Sequence, residues 1–406
     1  MVNKNKYPFI MVHGMMGWGE EEGLYSKFPY WGMVTGNMVE ELRKSGHEAY
    51  APKVSPVGSA WARACELYAQ LMGTRVDYGV AHAQKYNHAR YGRTYDKPLV
   101  PGWGEKMADG SIKKIHLIGH SFGGATTRLL VSLLTEGSAE EREATPEGEL
   151  SPLFAGGHGD WVQSLTSLAA PHDGTTCIHA FPTLLKGIKA VTMVSGALLS
   201  NFGLGGFYDI HMEQYGINTV PGESNGGSKL LSAEQKNGIR RMLENTDNVY
   251  DDLSIPQAME MNRKMVVSPD TYYFSVATKG TMEDPFNYEY QIKAPIAAGL
   301  FLPTCFAMGR FPEGEIGGTF VSRYWRSNDG LVPTESALYP HLEPHKLFKD
   351  EDGKYKKGIW YVMEPFHGDH GTVIGGSAYF ILMPWRKRQY KRRVGDFLDF
   401  LATLED

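Results

Sequence analysis

Apolar residues fall in two rhythms along the chain. Phe9, Ile10, Met11 and Val12 form a short unbroken run that stops at His13-Gly14, the pattern of a buried strand running into a loop. Residues 35–45 switch to helical spacing at Met38, Val39 and Leu42, with Gly46 placed as a C-cap. HEAYAPKV at 47–54 predicts a second short strand, broken at Pro56. Residues 60–72 predict a helix containing Trp61, Cys65, Leu67, Leu71 and Met72. The stretch 77–104 is rich in His, Tyr and Gly, lacks a clean period, and reads as an insertion of loops. At 113–134, KKIHLIGHSFGGATTRLLVSLL gives strand, sharp turn and helix; 137–160 is polar and reads as a loop. Further strands are predicted at Gln163–Ala169, Thr271–Ala277 and Trp360–Met363, with a turn at Ser327–Gly330. Strands alternating with helices predict an α/β fold: a mostly parallel sheet with helices on both faces.

One segment has two readings. Phe181, Leu184, Leu185, Ile188, Val191 and Val194 keep helical spacing, Lys186 and Lys189 lie on another face, and Gly203, Gly205 and Gly206 follow as a hinge. This is either a lid over an apolar site or a core-packing helix; periodicity alone favours the second.

Composition narrows the class. The 406 residues fit one large domain, with an insertion at about 60–104 and a lid region at about 175–245. With 41 basic and 46 acidic residues and a formal net charge of -5, the chain is not charged like a nucleic-acid binder. A local exception is the cluster Arg386, Lys387, Arg388, Lys391, Arg392 and Arg393. It reads either as the solvated start of a C-terminal helix or as a patch that attracts anionic lipid surfaces. Cys65, Cys177 and Cys305 are too few and odd in number for a disulfide framework. The opening residues, MVNKNKYPFIMVHG, contain no leader pattern, and no apolar run is long enough to span a membrane.

Gly119-His120-Ser121-Phe122-Gly123 matches G-x-S-x-G between a strand and a helix. That arrangement exposes a serine at a helix N-terminus, where N–H groups and the helix dipole favour developing negative charge. The α/β-hydrolase fold to which the motif belongs orders its triad Ser, acid, His. Asp329, in SNDGLV, is the acid candidate, although Asn-Asp-Gly is also an ordinary turn. His341 and His345 follow it in PHLEPHK, too soon for another strand to intervene. His370, in a Gly-flanked loop after WYVM, is therefore the base, with His367 the runner-up. Backbone N–H groups of Met15 and Phe122 are placed as the oxyanion hole. Met15, Met16, Trp18 and Phe122 suit an apolar acyl group.

Together these residues resemble the bacterial zinc-containing true lipases, with thermoalkalophilic Bacillus-type and staphylococcal members. The resemblance rests on VHGMMGWG (12–19), the idiosyncratic stretch 61–95, GHSFGG (119–124), LLVSLLTEGSAEERE (129–143), AAPHDGTT (169–176), DLSIP (252–256), SNDGLV and DHGTVIG. It implies a lid after PHDGTT and the triad Ser121, Asp329 and His370. It also implies a structural zinc held by His82, His88 and Asp252, residues that would otherwise read as ordinary surface or core groups. The fourth ligand would fall at position 62, which is Ala62. A water, Asp251 or Glu66 would have to complete a four-coordinate site. Spacing alone requires the chain to bend between His82 and His88, with Asn87 the candidate bend. The family's calcium ligands would fall at Thr372 and Ser377, which offer no carboxylate, so no calcium is expected there. Family members are typically secreted, whereas no leader is visible here.

The expectation is thus a serine lipase or carboxylesterase acting on acyl esters at a lipid interface. A short-chain esterase or acyltransferase is the alternative, and a non-catalytic lipid-binding relic the remote one. Chain-length preference and oligomeric state are not fixed by the sequence.

Overall fold

The computed structural model describes residues 5–406 apart from 183–186, 188, 193, 196–197, 199–203, 205, 218–230, 287, 292–297 and 352. Three of the six apolar positions of the expected lid, Leu184, Leu185 and Ile188, and the hinge glycines 203 and 205 lie outside the described residues.

Seven parallel strands form the central sheet: β1 (Phe9–Val12), β2 (Ala49–Tyr50), β3 (Ile115–His120), β4 (Val162–Leu168), β5 (Tyr272–Val276), β6 (His345–Leu347) and β7 (Trp360–Val362). Their order is β6-β7-β5-β4-β3-β1-β2. Strand alternation explains why β1 is apolar throughout. Ile10 and Val12 join one buried cluster with Leu117 and Leu165. Phe9 and Met11 face the other side, among Ile118, Phe274 and Leu398.

Helices cover both faces. Helix α1 (Met38–Lys44) is capped by Asn37, whose side chain accepts from Val39 and Glu40 N–H. Helix α2 (Ala60–Met72) is capped by Ser59 and ends at Gly73 in the left-handed region. Helix α3 (Val80–Tyr86) stops at Asn87, also left-handed (φ 54°). This is the bend that the His82–His88 spacing requires. Helix α4 (Phe122–Glu136) follows the serine turn. The long C-terminal helix Pro384–Leu401 closes the chain.

Two expectations are corrected. Stretch 77–104 is not only loops: Arg75–Asp77 and Tyr91–Thr94 pair antiparallel around α3. The polar segment 137–160 contains short helices at Ala139–Ala144 and Pro152–Ala155. A strand that the sequence pattern missed, β6, begins at His345 itself and pairs with β7 at the sheet edge, so none intervenes between Asp329 and His341 or His345. Its residues are all exposed, so it lacks the apolar run that marked the other strands.

Candidate active site

The site begins with a strained turn. Ser121 joins β3 to α4 at φ 55°, ψ -130°, a conformation unfavourable for a residue with a Cβ. Its flanking glycines are required by close approach. A Cβ at Gly119 would lie 2.5 Å from the Gly123 carbonyl oxygen, and one at Gly123 would lie 2.2 Å from the Val12 oxygen. Ser121 makes no side-chain cap to its own helix, which leaves its hydroxyl available.

The loop after β1 packs directly on this serine. A Cβ on Gly14 would meet Ser121 Cβ at 2.7 Å and Oγ at 3.1 Å. Half-buried Met15 follows in the same loop, and Met16 turns back at φ 57°. Phe122 opens α4, its side chain buried. Met15 and Phe122 are therefore chain neighbours of the two residues, Gly14 and Ser121, that touch at this point.

Asp329 and His370, distant in sequence, are brought together. His370 Nδ1 donates to Asp329 Oδ2 at 2.8 Å, and His370 N–H donates to the Asp329 carbonyl at 3.0 Å. The carboxylate also accepts from Leu331 N–H (3.0 Å), Val332 N–H (2.9 Å) and the Thr278 hydroxyl. Burial pushes the Asp329 carboxyl up, but His370 and these donors outweigh it and hold it below its ordinary value. With Nδ1 engaged, His370 has Nε2 left for proton exchange. The runner-up, His367, is exposed, in a two-residue strand beside Thr278–Lys279. His341 pairs with Asp173 at 3.1 Å, and His345 stacks on Tyr339.

Two supports were not read from the sequence. His120 Nε2 donates to the His370 carbonyl at 3.0 Å, which leaves Nδ1 to accept from the Tyr30 hydroxyl at 2.6 Å. The Tyr30 oxygen in turn accepts from Gly14 N–H at 3.0 Å. One hydrogen-bonded chain thus ties the base loop to the loop that abuts Ser121. Burial pushes His120 down to about 3, so it is neutral in this role. The second support is buried Arg63. Its guanidinium donates to the His13 carbonyl, the Ser55 carbonyl (2.7 Å) and Thr126 Oγ1 (2.8 Å). A lone arginine inside the apolar run of α2 was the available signal; Tyr30 left none.

A separate cluster lies in the insertion. His82 Nε2 is 3.1 Å from Asp247 Oδ1, and His88 Nε2 is 3.5 Å from Oδ2. His88 Nδ1 donates to the Ala89 carbonyl at 2.8 Å, so the Nε2 lone pair faces the cluster, where it has no hydrogen-bond partner. Trp61 stacks on His82. Two imidazoles and one carboxylate with an unused lone pair fit a borderline-soft cation. Asp252 is not in this group, contrary to expectation. Its carboxylate accepts from Ala60 N–H at 2.8 Å, satisfying the buried start of α2. Asp247 stands in the place expected of it, while Ala62 is buried and brings no ligand. Beside the base, Thr372 and Ser377 hydroxyls both donate to Asp369 at 2.8 Å.

The parallel sheet and the serine turn define the class as α/β-hydrolase. The chain belongs to the family described as lipase-like, C-terminal domain, which it matches over residues 5–391. It is 34% identical over 377 residues to Lipase 2 of Staphylococcus aureus, covering 91% of this chain and 50% of that protein. A lipase of Staphylococcus epidermidis is 33% identical over 388 residues, covering 92% and 51%. The chain thus spans about half the length of the curated relatives it matches. Among solved structures, EstA from Clostridium botulinum is 34% identical with a TM-score of 0.78, over 99% of this chain and 88% of that one. Staphylococcus hyicus lipase is 30% identical with a TM-score of 0.77, over 98% and 97%. The staphylococcal resemblance read from the motifs is borne out.

Proposed function

We propose that the protein hydrolyses carboxylic esters, as a lipase acting on acyl chains of appreciable length. The observation that carries the reading is the buried Asp329–His370 hydrogen bond at 2.8 Å, with the His370 carbonyl bonded by His120, the chain neighbour of a serine held in a strained strand-to-helix turn. In the reaction, His370 Nε2 takes the Ser121 proton as Oγ attacks the ester carbonyl. The Met15 and Phe122 N–H groups hold the oxyanion. His370 then protonates the leaving alcohol and activates water to cleave the acyl-enzyme, while Asp329 fixes the imidazole tautomer. Apolar Met15, Met16, Trp18 and Phe122 favour an apolar acyl group over a charged one.

A serine-directed fluorophosphonate tests the nucleophile. One probe per chain, lost in Ser121→Ala, is expected; labelling of the variant equal to the parent would contradict the assignment.

Zinc is the cation we assign to His82, His88 and Asp247. When bound, it would supply a structural cross-link between the insertion and the segment before Asn248, remote from the ester chemistry. The resemblance and the donor set support this reading.

A further inference from the structure

The last part of the chain carries charge and apolar surface that the ester chemistry does not use. No acidic residue occurs between Asp369 and Asp396, a stretch that holds Arg386, Lys387, Arg388, Lys391, Arg392 and Arg393. Immediately before these cations, the short helix Tyr379–Leu382 and the first residues of Pro384–Leu401 expose large apolar side chains. Ile381 is 67% exposed, Leu382 48% and Trp385 60%. They stand on a packed base, because buried Phe380 contacts buried Tyr390 with ring centroids 5.0 Å apart. The outward pose is therefore held by the core beneath it.

The segment adjoins the site. Gly32 N–H bonds the Ile374 carbonyl (2.8 Å) and Val34 N–H the Gly375 carbonyl (3.0 Å), so loop 28–36 is stitched to the chain just after His370. Lys387 Nζ donates to the Val34 carbonyl at 3.1 Å. The stitched loop adds exposed Phe28 and Met33. It is also the loop of Tyr30, which bonds His120 and Gly14.

Some of the cations are engaged: Lys391 pairs with Glu41, Arg392 with Asp396, and Arg393 lies over the Phe366 ring. Arg386 and Arg388 have no ion pair among the described residues. A cavity of about 360 Å³ opens beside Arg386, with Lys279, His367 and Arg393 also in its wall. Asp369 also lines it, its carboxylate already accepting the Thr372 and Ser377 hydroxyls.

We propose that Ile381, Leu382 and Trp385, backed by the Arg386–Arg393 cations, form a surface that docks the enzyme on anionic lipid. Exposed apolar side chains beside a basic helix face match the two components of such a surface, acyl boundary and negative headgroups. A tryptophan at the junction suits the headgroup level. Nucleic acid would match the charge but not the apolar crest. The proposal extends the reading of the site as a hydrolase of lipid esters by naming how it reaches them.

The test uses the full chain carrying Ser121→Ala, sedimented with phosphatidylcholine vesicles with and without about one-third phosphatidylglycerol. At least about tenfold tighter binding to the anionic vesicles is expected, weakening as salt rises. Arg386→Gln/Arg388→Gln/Arg392→Gln should lose most of that preference, at roughly fivefold per cation. Ile381→Ala/Trp385→Ala should weaken binding to both lipids. Both sets, placed in the active chain, should hydrolyse a soluble short-chain ester at the parental rate, which also reports their folding. Equal binding to neutral and anionic vesicles, charge variants that bind like the parent, or preferential capture of a DNA duplex in competition would overturn the proposal. A parent inactive on soluble ester would instead defeat the hydrolase reading and leave the vesicle result standing.

Discussion

Asp329 accepts hydrogen bonds from Leu331 and Val332 N–H, the Thr278 hydroxyl and His370 Nδ1, and that set decides what single substitutions should do. Asp329→Asn keeps the shape but offers His370 an amide that can stabilise the wrong tautomer. A drop in kcat of about 10,000-fold is expected, with folding intact by circular dichroism. A kcat within a few-fold of the parent would remove Asp329 from the mechanism. Tyr30→Phe leaves the Gly14 N–H and His120 Nδ1 without their shared hydroxyl. Each of the two groups left unsatisfied costs about 1–3 kcal/mol of stability, so a melting temperature lower by several degrees is expected in a thermal scan, with a reduced kcat because the base loop loses its tie to the loop at Ser121. Ser121, Asp329 and His370 were legible because motif, chain order and loop context each constrain them. Tyr30 and Thr278 were not, since a lone hydroxyl in a loop or strand leaves no pattern until the fold closes. Asp252 and Asp247 show the same limit. Both are acids in one short segment, and only the packed helix start at Ala60 decides which turns away.

At the scale of elements, α3 and the antiparallel pair around it join the His82 and His88 imidazoles to Asp247, which immediately precedes Asn248, the cap of a short helix. If zinc cross-links these elements, overnight chelation should lower the melting temperature by several degrees and readded zinc should restore it. His88→Ala should already melt low and ignore the chelator. A parent that holds no zinc by mass spectrometry and melts unchanged in chelator would remove the metal from the account. The sequence pattern found β1, β2, β3, β4, β5 and β7, β1 from an unbroken apolar run and β4 from apolar residues interleaved with polar ones, and it found α2 to the residue. It missed β6, whose three residues are exposed, and the pair around α3, whose polar residues alternate without an apolar face.

For the whole molecule, acid stability follows from buried histidines. Burial pushes His13, His116 and His120 down to about 3. Each is proton-poor in the fold and titrates from its ordinary 6.5 when unfolded, so its contribution is lost as pH falls from about 6.5 toward 3. Burial pushes Glu22 up to about 7 and Glu66 to about 8, the opposite sign, favouring the fold as pH falls until their ordinary 4.5 is passed. Below about 4.5 the contribution of these two glutamates is spent, while each histidine still costs about 1.4 kcal/mol per pH unit. The melting temperature should therefore fall gently between pH 6.5 and 4.5, where two glutamates offset part of the loss from three histidines, and fall steeply from 4.5 to 3. A flat profile through pH 3 in a thermal scan would contradict the buried, neutral assignment. The α/β class was legible at this scale because strand and helix rhythms alternate along most of the chain. The packing that neutralises these histidines was not, because a histidine's burial depends on neighbours from other elements.

Ser121, served by His370 and Asp329, is the group proposed to cleave acyl esters. The most direct measurement is the hydrolysis rate of p-nitrophenyl esters from acetate to palmitate, with Ser121→Ala in parallel. Turnover should extend to the long chains, and the variant should be slower by at least about 10,000-fold on every ester. A variant that matches the parent across the series would contradict this role of Ser121.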